Sequence, residues 1–388
     1  MAIVGLGGAV ATTAVAGVEI LRSGANRMHG LPLSNVSVPG LANYEDLVFG
    51  GWDLNGQSLA NAASEHNVLN DKQVAAVMPA LSTIHPWPAI GNAAFCRRIE
   101  GANTREVGGH RAAIAAMLSD LRNFKKTKGL DDLVMINLAS TERTPANSPA
   151  LQTADAFERA LDEDHPDVGP AMLYAAAAIK AGIPYGNFTP SVGADVPALI
   201  ELARRSGVPI AGKDGKTGQT LMKTALAPML RARSLHVDGW FSTNILGNRD
   251  GQALEDPDSL KSKLGTKGNV LDSILGYPVQ DHIVDIRYYR PRGDDKEAWD
   301  NIDISGFLGH RMQIKVNFLC KDSILAAPLV LEIARVLDLA RQRGESGPQE
   351  QLSVFFKAPM TANGHAPEHS FHVQERMLTD WLVGDTAQ

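Results

Sequence analysis

The chain has 388 residues, 44% of them hydrophobic and 21% charged, and a formal net charge of −6. That length exceeds what one core usually holds, about 250–300 residues, so two domains or one domain with a large insertion are expected, while a small stapled fold and global disorder are excluded. Cys96 and Cys320 alone make no disulfide framework or thiolate cluster, and 37 basic against 43 acidic residues exert no long-range pull on nucleic acid; the expectation is a soluble cytoplasmic protein.

Residues 2–18 carry no charge, but no basic segment precedes them and glycines stand where a leader would be most apolar. No other stretch approaches the roughly 20 apolar residues of a membrane span. Ala2-Ile3-Val4 reads as a strand, Gly5-Leu6-Gly7-Gly8 as a turn, and Val10, Ala14, Val15, Val18 and Leu21 as one face of a helix. This order opens a dinucleotide-binding unit, in which Gly5, Gly7 and Gly8 let the backbone approach a pyrophosphate at a helix N-terminus. The fingerprint is a variant, because Val10 stands where the third glycine of G-x-G-x-x-G would fall. A second strand is predicted at Asp46–Phe49, leading to Gly50-Gly51-Trp52-Asp53; Asp53 is either an acceptor for an adenosine ribose or a solvated loop carboxylate. A third, Asp132–Asn137, ends in the polar run Ala139-Ser140-Thr141-Glu142. With helices predicted at 111–124, 170–181 and 196–205 and a strand at Val208–Gly212, roughly the first 220 residues form one doubly wound α/β layer around a parallel sheet.

A second glycine-rich turn, Gly212-Lys213-Asp214-Gly215-Lys216-Thr217-Gly218-Gln219-Thr220, runs into a helix predicted at Leu221–Leu230. It is no Walker A loop, yet amides around Thr217, Gly218 and Gln219 can hold a phosphate, and Asp214 can orient a hydroxyl. The pattern then changes. Leu235–Thr243, Ile283–Arg290 and Arg311–Leu319 alternate polar with apolar residues, as strands of an antiparallel sheet with one covered face do, and so read as a second domain. Ser323–Arg343 is predicted as a long helix returning to the first domain, with a polar break at Gly344–Glu350. Over the same region lie Asn244, Asn248 and Asp250 after a strand, Lys263 and Lys267 one helical turn apart, Lys296 in Gly293-Asp294-Asp295-Lys296, and Lys357 after Val354-Phe355-Phe356. A single lysine is ordinarily a surface residue; these stand beside apolar strands and glycine turns. His365, His369 and His372 are spaced for a metal but lack a cysteine partner or an H-E-x-x-H frame, so no metal is expected.

In this order the blocks Val4–Gly8, Phe49–Asp53, Gly212–Thr220, Asn244–Gly251, Lys263/Lys267, Gly293–Lys296, Lys321–Pro328 and Phe356–Pro359 resemble the myo-inositol-1-phosphate synthase family over most of the chain. The resemblance implies a Rossmann-like NAD-binding domain over 1–220, completed by 325–388, with an inserted α+β catalytic and oligomerisation domain over 221–324, and a homotetramer. It implies catalytic Lys263, Lys267, Lys296 and Lys357, and substrate contacts from Asp214, Thr217, Gly218, Gln219, Asn244, Asn248, Asp250 and Asp322. Cofactor contacts are implied for Gly5, Gly7, Gly8, Asp53, Ser140, Thr141 and Asp294. The implied reaction is a redox-neutral aldol cyclisation of a hexose phosphate, glucose 6-phosphate to inositol phosphate. Relatives that close another sugar phosphate, such as fructose 6-phosphate, into a five-membered ring, and a non-catalytic NAD-binding regulator, are the alternatives. The sequence departs from the family pattern at Lys213 and Lys321, which replace acids, at Thr217, which replaces a serine, and at Ala9 and Val10, which replace asparagines.

Overall fold

The computed structural model describes residues 1–24, 28–96, 101–247 and 269–384. In chain order, β1 (Ala2–Val4), β2 (Gly50–Asp53), β3 (Trp87–Pro88), β4 (Met135–Asn137), β5 (Tyr185–Asn187) and β6 (Pro209–Gly212) build a first sheet. A second follows from β7 (His236–Leu246), β8 (Asp281–Tyr288), β9 (Asp295–Ser305) and β10 (Arg311–Lys321), after which β11 (Gly347–Pro348) returns to the first. The first sheet has the order β11-β6-β5-β4-β1-β2-β3, with every pair parallel. Strands three-two-one-four-five-six are the doubly wound dinucleotide-binding order, whose ligand crevice opens at the carboxyl ends of β1 and β4, between which the strand order reverses.

The helices are α1 (Ala9–Arg22), α2 (Leu59–His66), α3 (Asp71–Leu81), α4 (His110–Lys128), α5 (Ala154–Asp162), α6 (Pro170–Lys180), α7 (Pro197–Arg205), α8 (Gly218–Ala232), α9 (Asn269–Leu275), α10 (Asp322–Gln342) and α11 (Phe371–Val383). Strand alternation divides the core between the two faces of the first sheet. Ala2, Val4 and Met135 pack with α4 to α7, whereas Ile3, Ile136 and Ala211 pack with α1, α2, α3, α10 and α11. Such cover on both faces lets these strands be apolar throughout. In the second sheet one face carries Trp240, Ile302 and Ile304 against Ala227 and Leu230 of α8 and Leu271 and Ile274 of α9.

The structure corrects four sequence expectations. The second strand is Gly50–Asp53 rather than Asp46–Phe49, because the sheet needs glycine there: a Cβ on Gly50 would lie 2.8 Å from the rings of Phe124 and Trp87, and one on Gly51 1.9 Å from the Ile3 carbonyl oxygen. The second sheet is mixed rather than antiparallel, since β8 runs parallel to β7 after a crossover that contains α9. Alternation reports one covered face and is blind to strand direction. Strand β9 escaped notice because Asp300, a charged residue, occupies a buried position between Ala298 and Ile302. Within the expected break at Gly344–Glu350, Gly347 and Pro348 extend the first sheet as its edge. Among the described residues, no helix is long and apolar enough to cross a membrane.

Candidate active site

At the carboxyl ends of β1 and β4 lies a cavity of about 710 Å³, within the range of small-molecule and cofactor sites. Its floor is the first glycine turn. Gly5 has φ +87°, and a Cβ there would lie 2.9 Å from Leu138 O and Ala139 N, so only glycine lets the turn pass this close to the end of β4. Helix α1 follows Gly8, with no side-chain cap and no acid in its first turn, which leaves its N–H groups and positive dipole end for an anion. Asp53 at the end of β2 lines the wall and is held in place by the Gly7 and Asn55 N–H groups, each 2.9 Å from one carboxylate oxygen. Val10 and Ser140 also line the cavity, while Thr141, although buried, does not. Asp294 reaches the wall through Ser323, whose hydroxyl (2.7 Å) and N–H (3.2 Å) both donate to its carboxylate. Tyr174 and Glu142 are among the lining residues not singled out from the sequence as site residues. Tyr174 accepts from Ile90 N–H at 2.9 Å, and Glu142, last in the polar run after β4, accepts from Ala171 N–H at 3.0 Å. Burial pushes the Glu142 carboxyl up to about 8. An uncapped helix N-terminus, an obligatory glycine and a carboxylate at the end of β2 fit a dinucleotide.

The second pocket is far smaller, about 20 Å³, and its walls include Thr217, Gln219, Asn244, Lys296 and Lys357. Backbone pairing assembles it. Residues 212–216 run beside 355–360, with Lys213 N to Ala358 O at 2.8 Å, Lys357 N to Asp214 O at 2.7 Å and Met360 N to Gly212 O at 2.7 Å. The pairing sets Lys357 Nζ 2.6 Å from Asp214 Oδ1 in a buried ion pair. Lys296 Nζ (3.2 Å) and Thr217 Oγ1 (3.0 Å) both donate to Asp322 Oδ1. Burial alone would lower the Lys296 ammonium, but Asp322, with smaller contributions from Cys320 and Asp214, outweighs it and the net shift is upward, so this lysine stays charged. Gly218, at φ +56°, lies beside that ammonium, which is 3.5 Å from where its Cβ would be. Gln219 donates to Thr243 O at 3.1 Å and accepts from Asn244. Asp214 Oδ2 and Asn244 Oδ1 are buried with no hydrogen-bond partner among the described residues. One orphaned acceptor on the pocket wall, at Asn244, and one beside the lining Lys357, at Asp214, suit a polyhydroxylated anion, whose hydroxyls would satisfy them. Asp322 lines the larger cavity and accepts from Lys296 and Thr217 of the smaller pocket, so it links the two.

Asn248, Asp250, Lys263 and Lys267 lie outside the described residues. The two charge reversals line neither cavity: Lys213 pairs with Asp195 at 2.7 Å, and Lys321 lies 3.5 Å from Asp295 and 3.4 Å from Asn67 O. Of the three C-terminal histidines, His365 lies 3.2 Å from Glu350 and His372 lies 3.9 Å from Glu375.

A doubly wound sheet with a dinucleotide cavity, linked by one carboxylate to a lysine- and amide-lined pocket, defines a dinucleotide-dependent enzyme. The particular family follows from comparison: a model of the myo-inositol-1-phosphate synthase family, an NAD-binding family, matches residues 31–383, and the chain belongs to that family. It is 41% identical to inositol-3-phosphate synthase 1 of Bacteroides thetaiotaomicron, covering 98% of this chain and 94% of that one. Against inositol-3-phosphate synthase of Brassica napus it is 31% identical over 88% of this chain and 71% of the other. The structure of inositol-3-phosphate synthase from Caenorhabditis elegans superposes with a TM-score of 0.90 at 27% identity, covering 98% of this chain and 84% of that chain. A related protein from Thermotoga maritima shares the fold, with a TM-score of 0.80 at 24% identity, covering 98% and 97%. The chain is therefore an isomerase of this family, and NAD is its cofactor.

Proposed function

We propose that the protein converts glucose 6-phosphate to myo-inositol 1(3)-phosphate by a redox-neutral intramolecular aldol cyclisation. The carrying observation is the small pocket in which Lys296, Lys357, Thr217, Gln219 and Asn244 converge, linked to the dinucleotide cavity by Asp322. NAD, when bound, supplies a hydride acceptor at the sugar's C5 and returns the hydride after ring closure. The turn amides at Thr217, Gly218 and Gln219, with Lys296, bind the phosphate, and Lys296 also stabilises enolate charge. Lys357, oriented by Asp214, donates to the C1 aldehyde oxygen as charge develops there. Asp214 and Asn244 use their open acceptors to fix sugar hydroxyls. By family resemblance Lys263 moves the C5 hydroxyl proton, Lys267 joins the phosphate site, Asn248 and Asp250 bind substrate, and Ser140, Thr141 and Asp294 contribute to the cofactor site. Lys213 and Lys321 have partners of their own away from both cavities, which favours the glucose 6-phosphate reading over a changed substrate. The two sheets are the centres of two domains, divided as the resemblance implies, and four copies assemble through the second.

Purified protein with substoichiometric NAD should convert glucose 6-phosphate to an inositol phosphate, identified by mass spectrometry, with no net NADH. Accumulation of NADH equal to product, or a five-membered carbocycle formed from fructose 6-phosphate alone, overturns the proposal.

A further inference from the structure

We infer that Lys216 is a positioning residue for the anion turn: its ammonium, held by Gln374 of α11, fixes the backbone that carries Asp214 and Thr217. The inference rests on reading that turn as the phosphate site. Lys216 stands between those two residues yet does not line the pocket, and it is only 3% exposed. Its ammonium donates to Gln374 Oε1 and lies 5.6 Å from the centre of the Phe371 ring; among the described residues no carboxylate pairs with it. Gln374 is fully buried, and its Nε2 donates to Glu368 O at 2.6 Å, so the acceptor presented to Lys216 has a fixed orientation. The Lys216 N–H donates to Phe355 O at 2.8 Å, in the segment on which α11 packs. A buried ammonium with one side-chain acceptor loses much of its stabilisation when that bond breaks, so the turn cannot shift without separating Lys216 from α11.

This anchor is sensitive to protonation. The titratable groups around it are His369 and Glu368 ahead of α11, Asp214 on the turn, and Lys357 on the paired segment. Glu368 accepts from the His369 and Ser370 N–H groups and Asp214 is engaged by Lys357, so burial dominates at Lys216 and lowers its ammonium to about 7. Above neutrality the amine form holds Gln374 less strongly and the turn loosens.

The test uses NAD-loaded protein, the variants Lys216→Met and Gln374→Leu, and their double. Hydrogen exchange over residues 212–220, corrected for intrinsic pH effects, should speed up about tenfold or more in either single variant, with no further increase in the double and none at β1 and α1. The KM for glucose 6-phosphate should rise in both, and its increase from neutral to alkaline pH, present in the wild type, should be absent from Lys216→Met. Wild-type exchange in both singles, additive effects, or an unchanged pH dependence in Lys216→Met overturns the inference. Should the wild type fail to turn over glucose 6-phosphate while exchange responds as described, the anchor stands and the substrate reading falls.

Discussion

Glu142 shows how one side chain's surroundings set its charge and, through it, stability. Burial holds its carboxyl at about 8 against an ordinary 4.5, although the Ala171 N–H pulls the other way. Between those values the folded protein keeps a proton that the unfolded chain has released, so this group makes stability fall as pH rises from about 4.5 to about 8. A neutral carboxyl also spares an anionic dinucleotide a second negative charge in the cavity wall. Glu142→Gln substitutes a neutral amide of similar shape that still accepts from Ala171. Denaturant unfolding should find variant and wild type similarly stable at low pH, with the variant's advantage growing to about pH 8 and then holding steady. A constant gap across that range would mean that Glu142 is not neutral in the fold.

At the scale of elements, two glycines in similar sequence surroundings have opposite roles. Gly51 pairs with Ile3, and a Cβ on it would stand 1.9 Å from the Ile3 carbonyl, so Gly51→Ala forces β1 and β2 apart beneath the dinucleotide cavity. Gly17 lies within α1 and a Cβ there would meet nothing within 4 Å. Gly17→Ala should gain about 1 kcal/mol from helix propensity, whereas Gly51→Ala should lose on the order of 2–5 kcal/mol. Equal unfolding midpoints for the two variants would contradict this account. The same contrast marks what the sequence could reveal. Helices α6, α8 and α10 and strands β1, β4 and β6 were legible because apolar runs, glycine turns and periodicity are local signals; β5, only Tyr185-Gly186-Asn187, carries no such run. The direction of β8, the identity of β9 and the pairing of β11 were not, since each depends on a partner far along the chain. In the site, the chemistry of the glycine turns was readable, but Lys357 and Asp214 were named separately, and their pairing across 143 positions is seen only in the fold. The importance of Glu142 and Lys216 lies in their burial, which only the tertiary fold creates.

For the whole molecule, the second sheet poses a question of solubility and assembly. Its inner face is closed by α8 and α9, while its outer face presents Ile283 (50% exposed), Trp299 (37%) and Leu319 (59%), with the Phe241 and Trp299 rings 5.7 Å apart. Register places Phe241 beside both Ile283 and Asn301, Trp299 beside Asn317, and Leu319 beside Glu297, so the apolar side chains share one face across all four strands. Asp285, Arg287, Glu297 and Lys315 lie on the same face, giving a rim of both signs around an apolar centre. A two-fold contact brings the same patch from each copy together, and mixed charges with an apolar middle can be complementary to themselves. Trp299→Glu with Ile283→Glu places carboxylates in that centre without touching the inner core. Sedimentation should then show a species smaller than the wild-type assembly, while Met78→Glu, at an exposed position on α3, leaves the mass unchanged. An unaltered mass in the double variant, or a wild type that sediments as a monomer, removes this face from the proposed tetramer.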